Sequence, residues 1–342
     1  MCSKERGRRP VVAELRAQML TAMTGCPRDL TALWHRSAAE LGPSNPLTLL
    51  IACKSETYAS RTRPVTESVP VWERLVRCAA DALEAGDPAH LEIVSRYGRW
   101  LGRRGEPTDL DNAVVHQRAE LARRESALGV QAYWTGTVRL DLATTLVERA
   151  RLGHLDHTVK AVPSADLAEA AELSAQEIAH RSVVCGHDDL RTWEARGVAG
   201  KVALCQALLG PAAGERTTAQ ARELADQVVR MTTDFMTGRQ ALREPRLLQG
   251  LLLRAQALLA AGRQAEAEAE ARLAGELHRG REDGWPGGID PGLAPLTLAR
   301  VLAGTDRAEA VAAARRALRS RLDWFPEDSV YCVEAREQLG AC

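Results

Sequence analysis

Along almost the whole chain, stretches whose apolar side chains recur every three or four residues alternate with short breaks built on glycine or proline. Val11, Val12, Leu15, Met19, Ala22 and Met23 form one such stripe, opened by Pro10 and closed by Gly25, and Leu30, Leu33 and Trp34 begin the next. This spacing puts the apolar residues on one face of a helix, whereas a strand would need them at every second position. The breaks fall at Pro43/Pro46, Gly86 to Pro88, Gly105 to Pro107, Gly153, Gly186, Gly210/Pro211, Gly262 and Gly304. They recur at about the length of a helix pair, the mark of a chain built from repeated helical hairpins. Composition agrees. Ala and Leu dominate the apolar residues, and 342 positions include only four Ile, two Phe and four Tyr, a poor supply for a large sheet.

Charge and cysteine usage narrow the function. The 45 basic and 45 acidic residues cancel, so no field of one sign exists to concentrate on nucleic acid or anionic lipid. The first ten residues are charged and lead into an amphipathic helix without the apolar core of a secretory signal. The greasiest stretch, Leu247 to Ala261, is interrupted by Gln249, Arg254 and Gln256 and is too short to span a membrane. Eight scattered cysteines with no C-x-x-C pair suit reduced thiols used as small core residues. A cytoplasmic location is expected, with neither membrane nor nucleic acid as partner. The basic residues Lys4, Arg6, Arg8 and Arg9 read as a frayed terminus, because Pro43 and Pro46 leave no clean recognition helix after residue 40.

The repeat can be phased. Val94-x-x-Tyr97-Gly98-x-x-Leu101-x-x-x-Gly105 is the first-helix pattern of a tetratricopeptide repeat: the small residue admits the second helix, and the last glycine closes the first. Leu251, Ala255, Leu258 and Gly262 form a looser copy, and Gly304 follows 42 residues later. Leu41-Gly42-Pro43-Ser44-Asn45-Pro46-Leu47-Thr48-Leu49 resembles the junction signature of kinesin-light-chain-like tetratricopeptide repeats. Cys185-Gly186-His187 through Thr192 and Trp193 is similar, as is the segment from Arg316 to Leu339. The resemblance implies an all-α fold, a right-handed superhelix of antiparallel helix pairs that ends in a capping helix. First helices are expected near residues 47, 90, 132, 189, 245, 293 and 329. Residues 1–40 read as a basic arm and helical cap and residues 41–342 as the repeat domain, with irregular repeats over 107–218.

Motifs for chemistry are weak. Gly197-Val198-Ala199-Gly200-Lys201-Val202 lacks both the leading glycine and the hydroxyl residue of a phosphate-binding loop. Cys185, His187 and Asp188, and separately His154, Asp156 and His157, offer donor atoms without the second close pair a zinc site requires. Asp109, Asp111 and Asn112 lack the glycine and terminal glutamate of a calcium loop. No nucleophile motif occurs, so no residue is assigned to catalysis, to a metal or to a cofactor. The seven tryptophans read as packing anchors, except Trp285, which lies in a glycine-rich segment and suits recognition.

The resemblance further implies a groove lined by first helices that binds a protein or peptide partner. Its phase selects Glu92, Ser95, Arg99 and Arg103 in the second unit, Arg191, Glu194 and Lys201 in the fourth, and Gln249 and Gln256 in the fifth. Kinesin-light-chain-like repeats carry paired asparagines that hold the ligand backbone. The matching positions here are Cys53/Lys54, Gly197/Val198 and Glu337/Gln338, so that clamp is missing. The functional expectation is an adaptor or regulatory scaffold of a bacterial system. The alternative is a helical-repeat enzyme or accessory protein acting on a peptide or small molecule near the Cys185/His187 loop.

Overall fold

The computed structural model describes residues 2–24, 29–155, 163–187, 189–209, 229, 245–278 and 291–342. Among them every regular element is an α-helix: α1 (Cys2–Thr24), α2 (Asp29–Leu41), α3 (Pro46–Ala59), α4 (Val65–Ala82), α5 (Pro88–Arg104), α6 (Pro107–Leu128), α7 (Tyr133–Leu155), α8 (Pro163–Val184), α9 (Leu190–Leu209), α10 (Pro245–Ala260), α11 (Gln264–His278), α12 (Leu293–Leu302), α13 (Arg307–Leu322) and α14 (Val330–Ala341). The expected first helices are α3, α5, α7, α9, α10, α12 and α14. Each begins within a few residues of its expected position, because the signals that start a helix are local. Asn45 accepts from the Leu47 amide with Pro46 in the first turn, and Ser329 accepts from the Cys332 amide.

Two expectations are corrected. Pro10 does not open α1, which runs from Cys2 and carries Pro10 inside it. Gly153 is not a break but lies in the last turn of α7. The segment holding Gly210, Pro211 and the partner helix expected for α9, the loop around Trp285, and Asp156, His157 and Asp188 lie outside the described residues.

Residues 1–100 and 101–342 form two compact units. In the first, Leu15, Met19 and Ala22 of α1 meet Leu30, Leu33 and Leu41 of α2 and Leu47 and Ile51 of α3 in one apolar cluster. Trp72 of α4 is fully buried and donates to Ser60 Oγ at 3.1 Å. In the second, α6 to α9 share a core built on Val114, Leu142, Leu146, Leu167 and Val202. On α11 and α13, which both pack against α12, the buried residues include Ala267, Ala271, Ala274, Ala310, Ala313 and Ala317. Methyl side chains let these helices pack closely, which explains the alanine-rich composition.

The second unit closes on itself. α7 packs on α9, α9 on α10, α10 on α12 and α12 on α14, as expected of successive first helices. α14 packs on α12 and α13, and it also returns to α7. The Val330 amide donates to the Gly105 carbonyl at 2.8 Å, and the Gly105 Cα lies close to the Tyr331 and Val330 side chains. The first helices of this unit therefore form a closed ring of five.

Candidate functional site

In the first unit, two successive first helices are joined through charge. Lys54 of α3 donates to Glu92 of α5 at 3.0 Å, and Arg96, one turn along α5, donates to the same carboxylate oxygen at 3.0 Å. Glu92 and Ser95 are buried, while Lys54, Arg96 and Arg99 are half-buried; Arg103, also half-buried, lies in the last turn of α5 and belongs to the second unit. Burial alone would raise the Glu92 pKa, but Arg96 and Lys54 outweigh it and hold the carboxyl down at about 2. The neighbouring Cys53 thiol is pushed up to about 12, chiefly by burial, and is an inert core group.

In the second unit, an arc of ion pairs runs around the ring. Lys201 of α9 lies 3.7 Å from Glu148 of α7, which also accepts from Arg151. Arg151 bridges to Glu334 of α14, which takes Arg300 of α12 at 2.7 Å and Arg321 of α13 at 2.9 Å. Desolvation opposes the ionised form of Glu334, yet Arg151, Arg300 and Arg321 together hold its carboxyl well below the ordinary range. Cys205, beside this arc, has its thiol raised to about 11, with burial the largest cause. Gln256 of α10 donates to Thr297 of α12 at 3.0 Å, linking the remaining side of the ring.

The junctions between pairs repeat in atomic detail. Thr135 Oγ1 donates to the Gly129 carbonyl and Thr192 Oγ1 to the Gly186 carbonyl, each across six residues, and both glycines have φ near +90°. Such φ values favour glycine because a Cβ is strained there. Five residues before each glycine, a buried arginine at the end of the second helix clasps the next first helix. Arg124 donates to the Trp134 carbonyl at 2.9 Å and Arg181 to the Arg191 carbonyl at 2.6 Å. Arg321, five residues before Pro326, donates to the Tyr331 carbonyl at 2.5 Å. In each case donor and acceptor are ten residues apart. The fold is a tetratricopeptide-like array of helix pairs.

No protein-family model and no curated protein matches the chain. Two solved structures of a Podosopora anserina protein assigned as a kinesin light chain, made of nearly identical TPR-like repeats, are similar to it. Each is 16% identical, with TM-scores of 0.43 and 0.42; the matches cover 74% of this chain and 94% and 96% of theirs.

In this tetratricopeptide-like array the other selected residues are spread out. Arg191 is exposed and pairs with Asp189 at 2.8 Å, and its guanidinium lies 5.9 Å from the centre of the Tyr133 ring. Glu194, also exposed, lies 3.3 Å from the buried Arg181, so both residues belong to a junction clasp. Gln249 is exposed on α10. The structure thus joins Glu92 to Lys54 and Arg96, and Lys201 to Glu148, while Arg191 and Glu194 lie at one end of α9. Sequence reasoning missed Glu148, Arg151, Arg300 and Glu334, whose meeting depends on the return of α14 to α7. It placed a first helix near 132 but read 107–218 as irregular, although the six-residue spacing of Gly129 and Thr135 matches that of Gly186 and Thr192.

Cys185 is half-buried, and the exposed His187 ring nitrogen lies 3.5 Å from Arg196. Among the described residues no group of three His, Cys, Asp or Glu side chains could hold a metal ion, and no helix is long and apolar enough to cross a membrane.

Proposed function

We propose that the chain is an interaction scaffold that holds a protein or peptide partner against its first helices. The observation that supports this reading is the Lys54–Glu92–Arg96 network, which fixes charged side chains across two successive first helices. Ser95 and Arg99 follow on α5, with Arg103 one turn further. Side chains held by ion pairs lose little further freedom on binding, so they suit recognition. Because the asparagine clamp is missing, specificity rests on these charges rather than on a generic grip on the partner's backbone.

The test is affinity capture from host lysate with wild type and an Arg99→Glu/Arg103→Glu variant, both verified by circular dichroism. A stoichiometric polypeptide retained by wild type and lost by the variant is expected. An identical set of retained proteins, or none with wild type, would overturn the reading.

A further inference from the structure

Val69, Trp72, Leu75 and Ala79 form the buried stripe of α4. Beside it, Glu73, Val76 and Arg77 share another face at the spacing i, i+3 and i+4, and with Tyr97 of α5 they line a cavity of about 330 Å³. All four residues belong to the first unit. Ligand pockets run from roughly 300 to 1,000 Å³, so this one suits a molecule of amino-acid size. Glu73, Val76 and Tyr97 are half-buried, and Arg77 is exposed. A glutamate four residues before an arginine on a helix ordinarily closes into an ion pair. It does so at Glu92–Arg96, Glu120–Arg124, Glu177–Arg181 and Glu268–Arg272. Glu73 and Arg77 have the same order and spacing but stay apart, and neither side chain makes an ion pair or hydrogen bond with another described residue. The pair that stays open is the one that borders the cavity.

We propose that this cavity between α4 and α5 binds a free amino acid with a large apolar side chain. One anion and one cation on the rim of the same small volume select a ligand that carries both charges, since a simple anion or cation would leave one of them unanswered. The Arg77 guanidinium offers paired N–H donors to the ligand carboxylate, and the Glu73 carboxylate accepts from the ligand ammonium. Val76 and Tyr97 supply the apolar wall on which the ligand side chain rests. The site shares no residue with the Lys54–Glu92–Arg96 network and stands whether or not that network holds a partner.

Titration of the full chain with leucine and with phenylalanine, followed by calorimetry, tests the proposal. Glycine lacks the apolar side chain, acetylated leucine lacks the ammonium and leucinamide lacks the carboxylate, so these three serve as controls. Saturable binding of leucine or phenylalanine is expected, weakened about tenfold in each control. Arg77→Gln should weaken leucine about tenfold and leave the already weakened leucinamide unchanged, because that ligand has no carboxylate to lose. Glu73→Gln should do the same for leucine while leaving acetylated leucine unchanged. Arg77 is exposed and Glu73 half-buried on α4, so both variants keep the fold, as an unchanged thermal midpoint without ligand would verify. Three outcomes would overturn the site: no saturable binding of leucine or phenylalanine, controls that bind as well as they do, or undiminished leucine binding by Arg77→Gln and Glu73→Gln.

Discussion

Arginine and glutamate are placed so that a buried charge on one helix is met by a partner on the next. Glu92 shows what this contributes. Its folded pKa of about 2 lies below the roughly 4.3 of an unfolded glutamate, so it stabilises the fold fully above that value and loses the effect as pH falls towards 2. Glu92→Gln should therefore lower stability at pH 7 by on the order of 2–3 kcal/mol. The gap from wild type should close between about pH 4.5 and 2, as followed by denaturant titration at each pH. A gap independent of pH would show that packing rather than charge is responsible. Arg181 is a second case. It holds Glu177 at 2.6 Å and the Arg191 carbonyl, and its guanidinium lies 5.5 Å from the Tyr133 ring centre. Arg181→Ala should cost about 3–5 kcal/mol, since it removes one of the two guanidiniums that hold the buried Glu177 carboxylate.

At the scale of the element, two glycines inside helices should respond with opposite sign. A methyl on Gly136 of α7 would overlap the Glu177 carboxylate, which Arg139 and Arg181 hold in place. Gly136→Ala should destabilise by about 2–4 kcal/mol, combining overpacking with a displaced ion pair. Gly197 of α9 has open space where a Cβ would sit, so Gly197→Ala should stabilise by about 0.5–1 kcal/mol. Thermal melts of the two variants check the signs. This scale is also where the sequence was most readable. Asn45 with Pro46, Gly186 with Thr192, and Ser329 each act on neighbours within a few residues, so their helix starts could be placed by inspection. The junction at Gly129 has the same geometry but no proline, with Ala132 and Tyr133 where Gly42 is followed by Asn45 and Pro46, and it was read as degenerate. The clasps of Arg124, Arg181 and Arg321 could not be read from the sequence, because the carbonyls they reach lie ten residues away, which no side-chain pattern reports.

The closure of residues 101–342 belongs to the scale of the whole unit and left no trace in local periodicity. Gly105 and Val330 are joined across more than two hundred residues, and Arg151 and Glu334 sit in helices whose own patterns look ordinary. An open repeat array is close to one-dimensional, so its terminal helix loses contacts first and exchanges its amides fastest. A ring has no such end. α14 should therefore exchange its backbone amides as slowly as α7, with both opening in one cooperative event. Glu334→Gln should accelerate exchange in α14 and in α7 together, because it weakens the carboxylate that Arg151, Arg300 and Arg321 share. Hydrogen–deuterium exchange read by mass spectrometry, peptide by peptide, separates the two architectures. If α14 exchanged rapidly while α7 stayed protected, the last helix would be a simple cap and the arc of ion pairs would not hold the ring closed. If both helices shift together in the variant, the ring is the cooperative unit, and the stability of its first helices depends on a contact made at the far end of the chain.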